Sequence, residues 1–180
     1  TQITALPEGS KISTLNFEQW TPIGNYDYMY NGTFNGYNGT FDGDGHEIRG
    51  LYVNVDENYV GLFGYIGSNG VVQNVGVVDS YILGEQEVGG IVGRNGGSVI
   101  GVYNKGTVGA TYYAGGVVGA NYGTLNIAYN SGFVYSPKNT GEGFGGVVGT
   151  NYSGTVENVY NVGSVNGWDC VGGIAGYNEA

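Results

Sequence analysis

The chain has 180 residues, enough for one ordinary domain with a buried core, but 38 glycines and 17 tyrosines stand against one Met, one Cys, one His and three prolines. A formal charge of −10, from 5 basic and 15 acidic residues, would repel a phosphate backbone and supplies no Lys/Arg cluster, which argues against nucleic acid and against an anionic membrane as partners. The lone Cys170 has no internal disulfide partner, no Cys/His spacing resembles a zinc site, and no apolar run approaches the roughly 20 residues of a membrane-spanning helix.

Gly, Val, Asn and Tyr dominate, with β-formers flanked by turn-formers, and this predicts an all-β fold. Residues 1–38 read as a lead-in or N-terminal cap. Within it, Lys11 to Trp20 fits a short capping helix or an edge strand equally. Thr1 is not followed by the charged-then-apolar pattern of a secretory leader, so an exported parent would carry its leader upstream.

Repeats begin by about residue 39. A short first unit contains Gly39-Thr40-Phe41, and its Ile48, Leu51 and Val53 are set against Val72, Val75 and Val77. From there a glycine-bracketed segment recurs: Gly61-Leu62-Phe63-Gly64, Gly90-Ile91-Val92-Gly93, Gly116-Val117-Val118-Gly119, Gly146-Val147-Val148-Gly149 and Gly173-Ile174-Ala175-Gly176, at spacings of 29, 26, 30 and 27 residues. A second segment, Val99 to Asn104, Leu125 to Asn130 and Val156 to Asn161, closes each time on Tyr-Asn. Val108, Val134 and Val165 mark a third. Three short strands per unit of about 28 residues predict a right-handed parallel β-solenoid over residues 39–180.

Stacking places equivalent residues above one another, about 4.8 Å apart. Asn95, Asn121, Asn151 and Asn178 therefore form an expected asparagine ladder. Gly93, Gly119, Gly149 and Gly176 are expected at positive-φ corners, and the inward set at Leu62, Ile91, Val117, Val147 and Ile174, with Val72, Val99, Leu125 and Val156. The last unit shows no second and third strands, and an open edge of that kind invites edge-to-edge self-association.

The GLFG and GGIVG segments, followed by Val156 to Val165, resemble the GLUG repeat of bacterial surface proteins, found in filamentous-haemagglutinin-like adhesins and beside IgA-specific metallopeptidases. The lead-in, Trp20-Thr21-Pro22-Ile23-Gly24 and then Phe41-Asp42-Gly43-Asp44-Gly45-His46, is similar to the segment that precedes those repeats, except that Asn25 to Asn38 intervenes. The resemblance implies an extracellular or cell-surface repeat module, non-catalytic, presenting a contact surface to a host surface protein or a glycan. A polysaccharide lyase or hydrolase and a passive spacer beside a peptidase are the rival readings.

Candidate chemistry is sparse. His46-Glu47-Ile48-Arg49-Gly50 has Gly where a zinc-binding HExxH helix needs its second His, which excludes that site. Asp42, Asp44 and Glu47 are the dense acidic group where a structural calcium ion would be held, although the loop lacks the full oxygen-ligand spacing of a known site and Asp-Gly-Asp-Gly also reads simply as a turn. No other cofactor pattern is present. The links into each glycine-bracketed segment, Leu83 to Gly89, Gly109 to Gly115, Tyr135 to Gly145 and Asn166 to Gly172, vary most and are expected to be loops on one face. They carry Tyr112, Tyr113, Tyr135 and Trp168 beside Glu85, Glu87, Glu142 and Asp169; exposed rings among polar acceptors suit stacking on sugars, and the alternative is that they merely cover the solenoid corner.

Overall fold

The structure, a computed structural model, describes residues 18–27, 33–138 and 140–180. The choice between helix and strand for Lys11 to Trp20 falls, up to residue 17, outside the described residues. An antiparallel pair, β1 (Asn25–Asp27) with β2 (Thr33–Asn35), occupies the Asn25 to Asn38 insertion. Five coils follow. The first holds β3 (Thr40–Arg49), β4 (Tyr52–Asn54), β5 (Asn58–Val60) and β6 (Phe63–Ile66), and the second β7 (Val71–Val78), β8 (Tyr81–Gly89) and β9 (Val92–Asn95). The third holds β10 (Ser98–Asn104), β11 (Thr107–Gly115) and β12 (Val118–Asn121). The fourth holds β13 (Thr124–Asn130), β14 (Val134–Tyr135), β15 (Glu142–Gly145) and β16 (Val148–Asn151), and the fifth β17 (Thr155–Asn161), β18 (Val165–Asn166), β19 (Asp169–Gly172) and β20 (Ala175–Asn178).

Equivalent strands pair in parallel, giving three sheets: β3-β7-β10-β13-β17; β6-β9-β12-β16-β20; and a third built on β8 and β11 with the shorter strands of the other coils. The chain is thus an all-β parallel solenoid with three strand faces per coil, as the repeats predict. The lead-in packs on the first coil. Ile23 bridges Phe63, Tyr37 bridges Ile66, and the Trp20 indole N–H donates to the Leu62 carbonyl at 3.2 Å.

Inward residues from each face fill the interior as columns. Leu62, Ile91, Val117 and Val147 form one column, Val72, Val99 and Leu125 a second, and Val108 and Val134 a third, all essentially inaccessible to solvent. Ile174 continues the first column but is 39% exposed, having a coil on only one side, and Val156 is half-buried for the same reason. In the first unit the register differs from the expected one. Phe41, not Ile48, pairs with Val72, and Ile48 pairs with Val77. Asp42 to His46 bulges, with Asp44 (φ 49°) and Gly45 (φ 76°) left-handed, so extra residues are absorbed inside a single strand and Asp-Gly-Asp-Gly is a kink rather than a chain reversal.

The asparagine ladder forms at a corner. Asn95 Nδ2 donates to Asn121 Oδ1 at 2.8 Å, Asn121 to Asn151 at 2.9 Å, and Asn151 to Asn178 at 2.8 Å. A second ladder stands at the next corner, Asn104 to Asn130 at 2.9 Å and Asn130 to Asn161 at 3.0 Å. Each amide there also caps its own turn, Asn104 Oδ1 accepting the Gly106 N–H and Asn130 Oδ1 the Gly132 N–H.

Gly93, Gly119, Gly149 and Gly176 are not at positive φ. A Cβ on Gly119 would stand 2.4 Å from the Glu87 carbonyl carbon and 2.5 Å from the Val88 nitrogen, and one on Gly93 2.5 Å from the Tyr59 carbonyl carbon. These positions need glycine because the strand crosses the backbone of the preceding corner too closely for any side chain. That corner carries a row of left-handed residues instead: Tyr59 (φ 61°), Glu87 (φ 53°), Tyr113 (φ 56°), Gly143 (φ 79°) and Cys170 (φ 50°).

Asn121 is fully buried and bonded on both sides. Asn121→Ala is expected to destabilise the fold by about 1–3 kcal/mol, because buried neighbours lose partners they cannot replace with water. Equal thermal unfolding midpoints for variant and parent would refute this.

Candidate contact surface

The segments expected to be loops are largely strand. Leu83 to Gly89 and Gly109 to Gly115 belong to the continuous strands β8 and β11, while the other two links are interrupted between β14 and β15 and between β18 and β19. A left-handed residue near the end of each strand re-aims the chain, so pairing continues through a bend that sequence reads as a loop.

This geometry separates the four aromatic candidates. Tyr135 lies on the outside of the third sheet, where its hydroxyl meets that of Tyr81 at 2.7 Å and its ring stacks on Phe133 with centroids 5.4 Å apart. Burial, and then the Tyr81 hydroxyl, push its ionisation above the ordinary tyrosine range. Trp168 is 69% exposed and Tyr112 36%. Tyr113 turns instead into a cleft of about 160 Å³ lined by Tyr113, Glu142, Tyr152, Tyr177 and Glu179. Its hydroxyl donates to Glu142 Oε1 at 3.0 Å, and its ring meets Tyr152 edge-on at 6.4 Å. Burial first, and then the bond to Glu142, raise its ionisation too.

At the same corner, two coils earlier, lies a cation already surrounded by rings. The Arg94 guanidinium carbon is 4.8 Å from the Tyr59 ring centroid and 5.0 Å from that of Tyr122. Its Nε donates to Glu87 Oε2 at 2.6 Å and its Nη2 to Glu87 Oε1, a two-pronged pair that is mostly buried. Glu87 holds the guanidinium protonated despite the burial that opposes its charge.

A surface the sequence reading passed over is the tyrosine column on the first sheet. Tyr103, Tyr129 and Tyr160 stack with centroids 4.9 and 5.0 Å apart and planes 6° from parallel. Beside them runs a groove of about 170 Å³ lined also by Gly101, Ile127 and Asn158. Ile127 is left-handed (φ 54°) and 58% exposed, an unfavourable conformation for a β-branched residue. The signal was the Tyr-Asn pair closing each second segment: in-register stacking makes Tyr an outward column when Asn forms the inward ladder.

Asp42, Asp44 and Glu47 are not gathered into one ligand set. Asp42 accepts from the Asp44 backbone N–H at 2.9 Å, from Gln73 at 2.6 Å and from Asn74 at 3.1 Å, contacts that hold its carboxyl below the usual range. Glu47 lies across the bulge, accepting from the Tyr103 hydroxyl at 2.7 Å and pairing with Arg49 and Lys105. Among the described residues, the acidic or thiol groups whose ligand atoms lie within 4.8 Å of one another are Glu142, Asp169 and Cys170.

Five stacked coils with ordered outward columns define a β-solenoid repeat module. The chain matches no protein-family profile, and no solved structure matches it. It is 38% identical over 84 residues to a protein of Evansella cellulosilytica named as a Gly-rich membrane protein, a match covering 44% of this chain and 9% of that protein. It is 33% identical over 97 residues to the halomucin of Haloquadratum walsbyi, covering 53% of this chain and 1% of that protein. The chain therefore spans less than a tenth of either relative's length. Among the described residues no helix is long and apolar enough to cross a membrane.

The column and Glu47 are coupled through Tyr103, whose ionisation burial first and the Glu47 bond second push up to about 12. The neutral phenol is the favoured form, so its contribution to stability is complete below the ordinary tyrosine value of about 10 and is lost as pH rises through about 12. Glu47→Gln is expected to lower the Tyr103 value while leaving it above about 10, since burial remains. A titration of ring-labelled tyrosines by NMR measures it, and an unmoved Tyr103 curve would refute the coupling.

Proposed function

We propose that this chain is a non-catalytic repeat module of an extracellular or cell-surface, adhesin-like protein, and that its outward columns form a contact surface for a glycan or a host surface protein. The observation that carries this reading is the regular display of aromatic side chains beside amides and carboxylates along the solenoid, with Trp168 and Tyr112 accessible. A flat ring next to hydrogen-bonding groups is what the apolar face and hydroxyls of a sugar require. The GLUG-like segments and the relative named as a membrane protein support the surface location.

Binding of the parent chain and of the variant carrying Tyr112→Ala and Trp168→Ala should be compared on a glycan array and on host cells. The expected result is saturable binding by the parent and at least tenfold weaker binding by the variant, equivalent to about 1.4 kcal/mol, with an unchanged circular dichroism spectrum. Equal binding would overturn the assignment of these rings. Release of reducing ends from acidic polysaccharides would overturn the non-catalytic reading in favour of a lyase or hydrolase.

A further inference from the structure

The Arg94 site and the Tyr113 cleft occupy equivalent places two coils apart. Along the paired strands β9, β12 and β16, Arg94 is followed by Ala120 and then Thr150. In the corner row, Tyr59 is followed by Glu87 and then Tyr113, each left-handed. In the first site a guanidinium lies between two tyrosine rings and is paired with a carboxylate. In the second, Tyr113 stands where Tyr59 stood, and Tyr152 and Tyr177 add further rings. Glu142 and Glu179 supply carboxylates, and Thr150 takes the place of the arginine. A threonine side chain is short and uncharged and places no cation between those rings.

We propose that the cleft lined by Tyr113, Tyr152, Tyr177, Glu142 and Glu179 binds the guanidinium group of an arginine side chain on a partner polypeptide.

Three features point to a cation as the missing component. Glu142 and Asp169 are direct cross-strand partners, an arrangement of like charges that is unfavourable without a counter-charge. Among the described residues, Glu142, Asp169 and Glu179 make no ion pair, whereas Glu47, Glu85 and Glu87 each have a basic partner. Thr150 Oγ1 is fully buried and has no hydrogen-bond partner, and Thr150 projects from the same sheet face as its cross-strand neighbour Tyr177, one wall of the cleft.

Guanidinium fits better than ammonium for a geometric reason. It is planar, weakly hydrated and able to stack on a ring while donating in its own plane, which is how Arg94 meets Tyr59, Tyr122 and Glu87. The net charge of −10 draws a basic partner to this surface. The site lies on the module read above as a contact surface but does not rest on glycan binding.

The test titrates the whole chain with acetyl-Gly-Arg-Gly-amide and with the peptides carrying citrulline or lysine in place of arginine, following tyrosine ring resonances by NMR. The arginine peptide is expected to bind saturably and to shift Tyr113, Tyr152 and Tyr177. The lysine peptide should bind more weakly, and the neutral citrulline peptide should not bind at millimolar concentration. Glu142→Gln with Glu179→Gln should weaken the arginine peptide at least tenfold. Thr150→Arg should fill the cleft from within, as Arg94 fills its own, and abolish peptide binding; if that variant fails to fold, the two exposed glutamate changes carry the test. Equal binding of citrulline or lysine peptide, no binding of the arginine peptide, or full binding after the glutamate changes would each overturn the proposal. Glycan binding is read on Tyr112→Ala and Trp168→Ala, so the two readings fail separately.

Discussion

The structure depends on in-register parallel stacking of corners. A solenoid this narrow buries backbone at each turn, and buried N–H and C=O groups must find partners within the protein. The asparagine amides meet that requirement in two directions at once, accepting a backbone N–H inside their own turn while donating to the next coil. Because Asn95, Asn121, Asn151 and Asn178 are linked at 2.8–2.9 Å, one coil fixes the rotation and height of the next. Gly93, Gly119 and Gly149 allow the strands to lie against the corner backbone at a distance no Cβ permits. The valine, isoleucine and leucine columns then pack by translation.

The same constraint organises the surface. Any outward residue type that recurs becomes a column, and the consequence depends on its chemistry. Tyrosines stack, as at Tyr103, Tyr129 and Tyr160, and burial followed by the Glu47 bond raises the ionisation of Tyr103. Carboxylates repel, as at Glu142 and Asp169. A cation placed between rings by one coil, as at Arg94, defines a site that neighbouring coils can repeat with or without the cation. The function proposed for the module and the guanidinium site both follow from that translation of chemistry along the stack.

Much of this was legible in sequence because a repeat reports its own structure. The glycine-bracketed segments at spacings of 26 to 30 residues, the inward columns and the first asparagine ladder required only that equivalent positions be superposed. The second ladder was legible in principle, since Asn104, Asn130 and Asn161 recur as faithfully as Asn95, Asn121 and Asn151. Tertiary structure decided the rest, for identifiable reasons. Left-handed φ at Tyr59, Glu87, Tyr113 and Ile127 is imposed by the bend of each coil on residues with no intrinsic preference for it, so the corners could not be placed from residue type. The bulge at Asp42 to His46 moved the first register, because a strand absorbs extra residues without a composition signal. The cleft joins Tyr113, Glu142, Tyr152, Tyr177 and Glu179 across three coils. Sequence fixes which residues share a column, but which neighbouring columns face each other across a corner depends on the angle at which the chain turns, and that exists only in the folded stack.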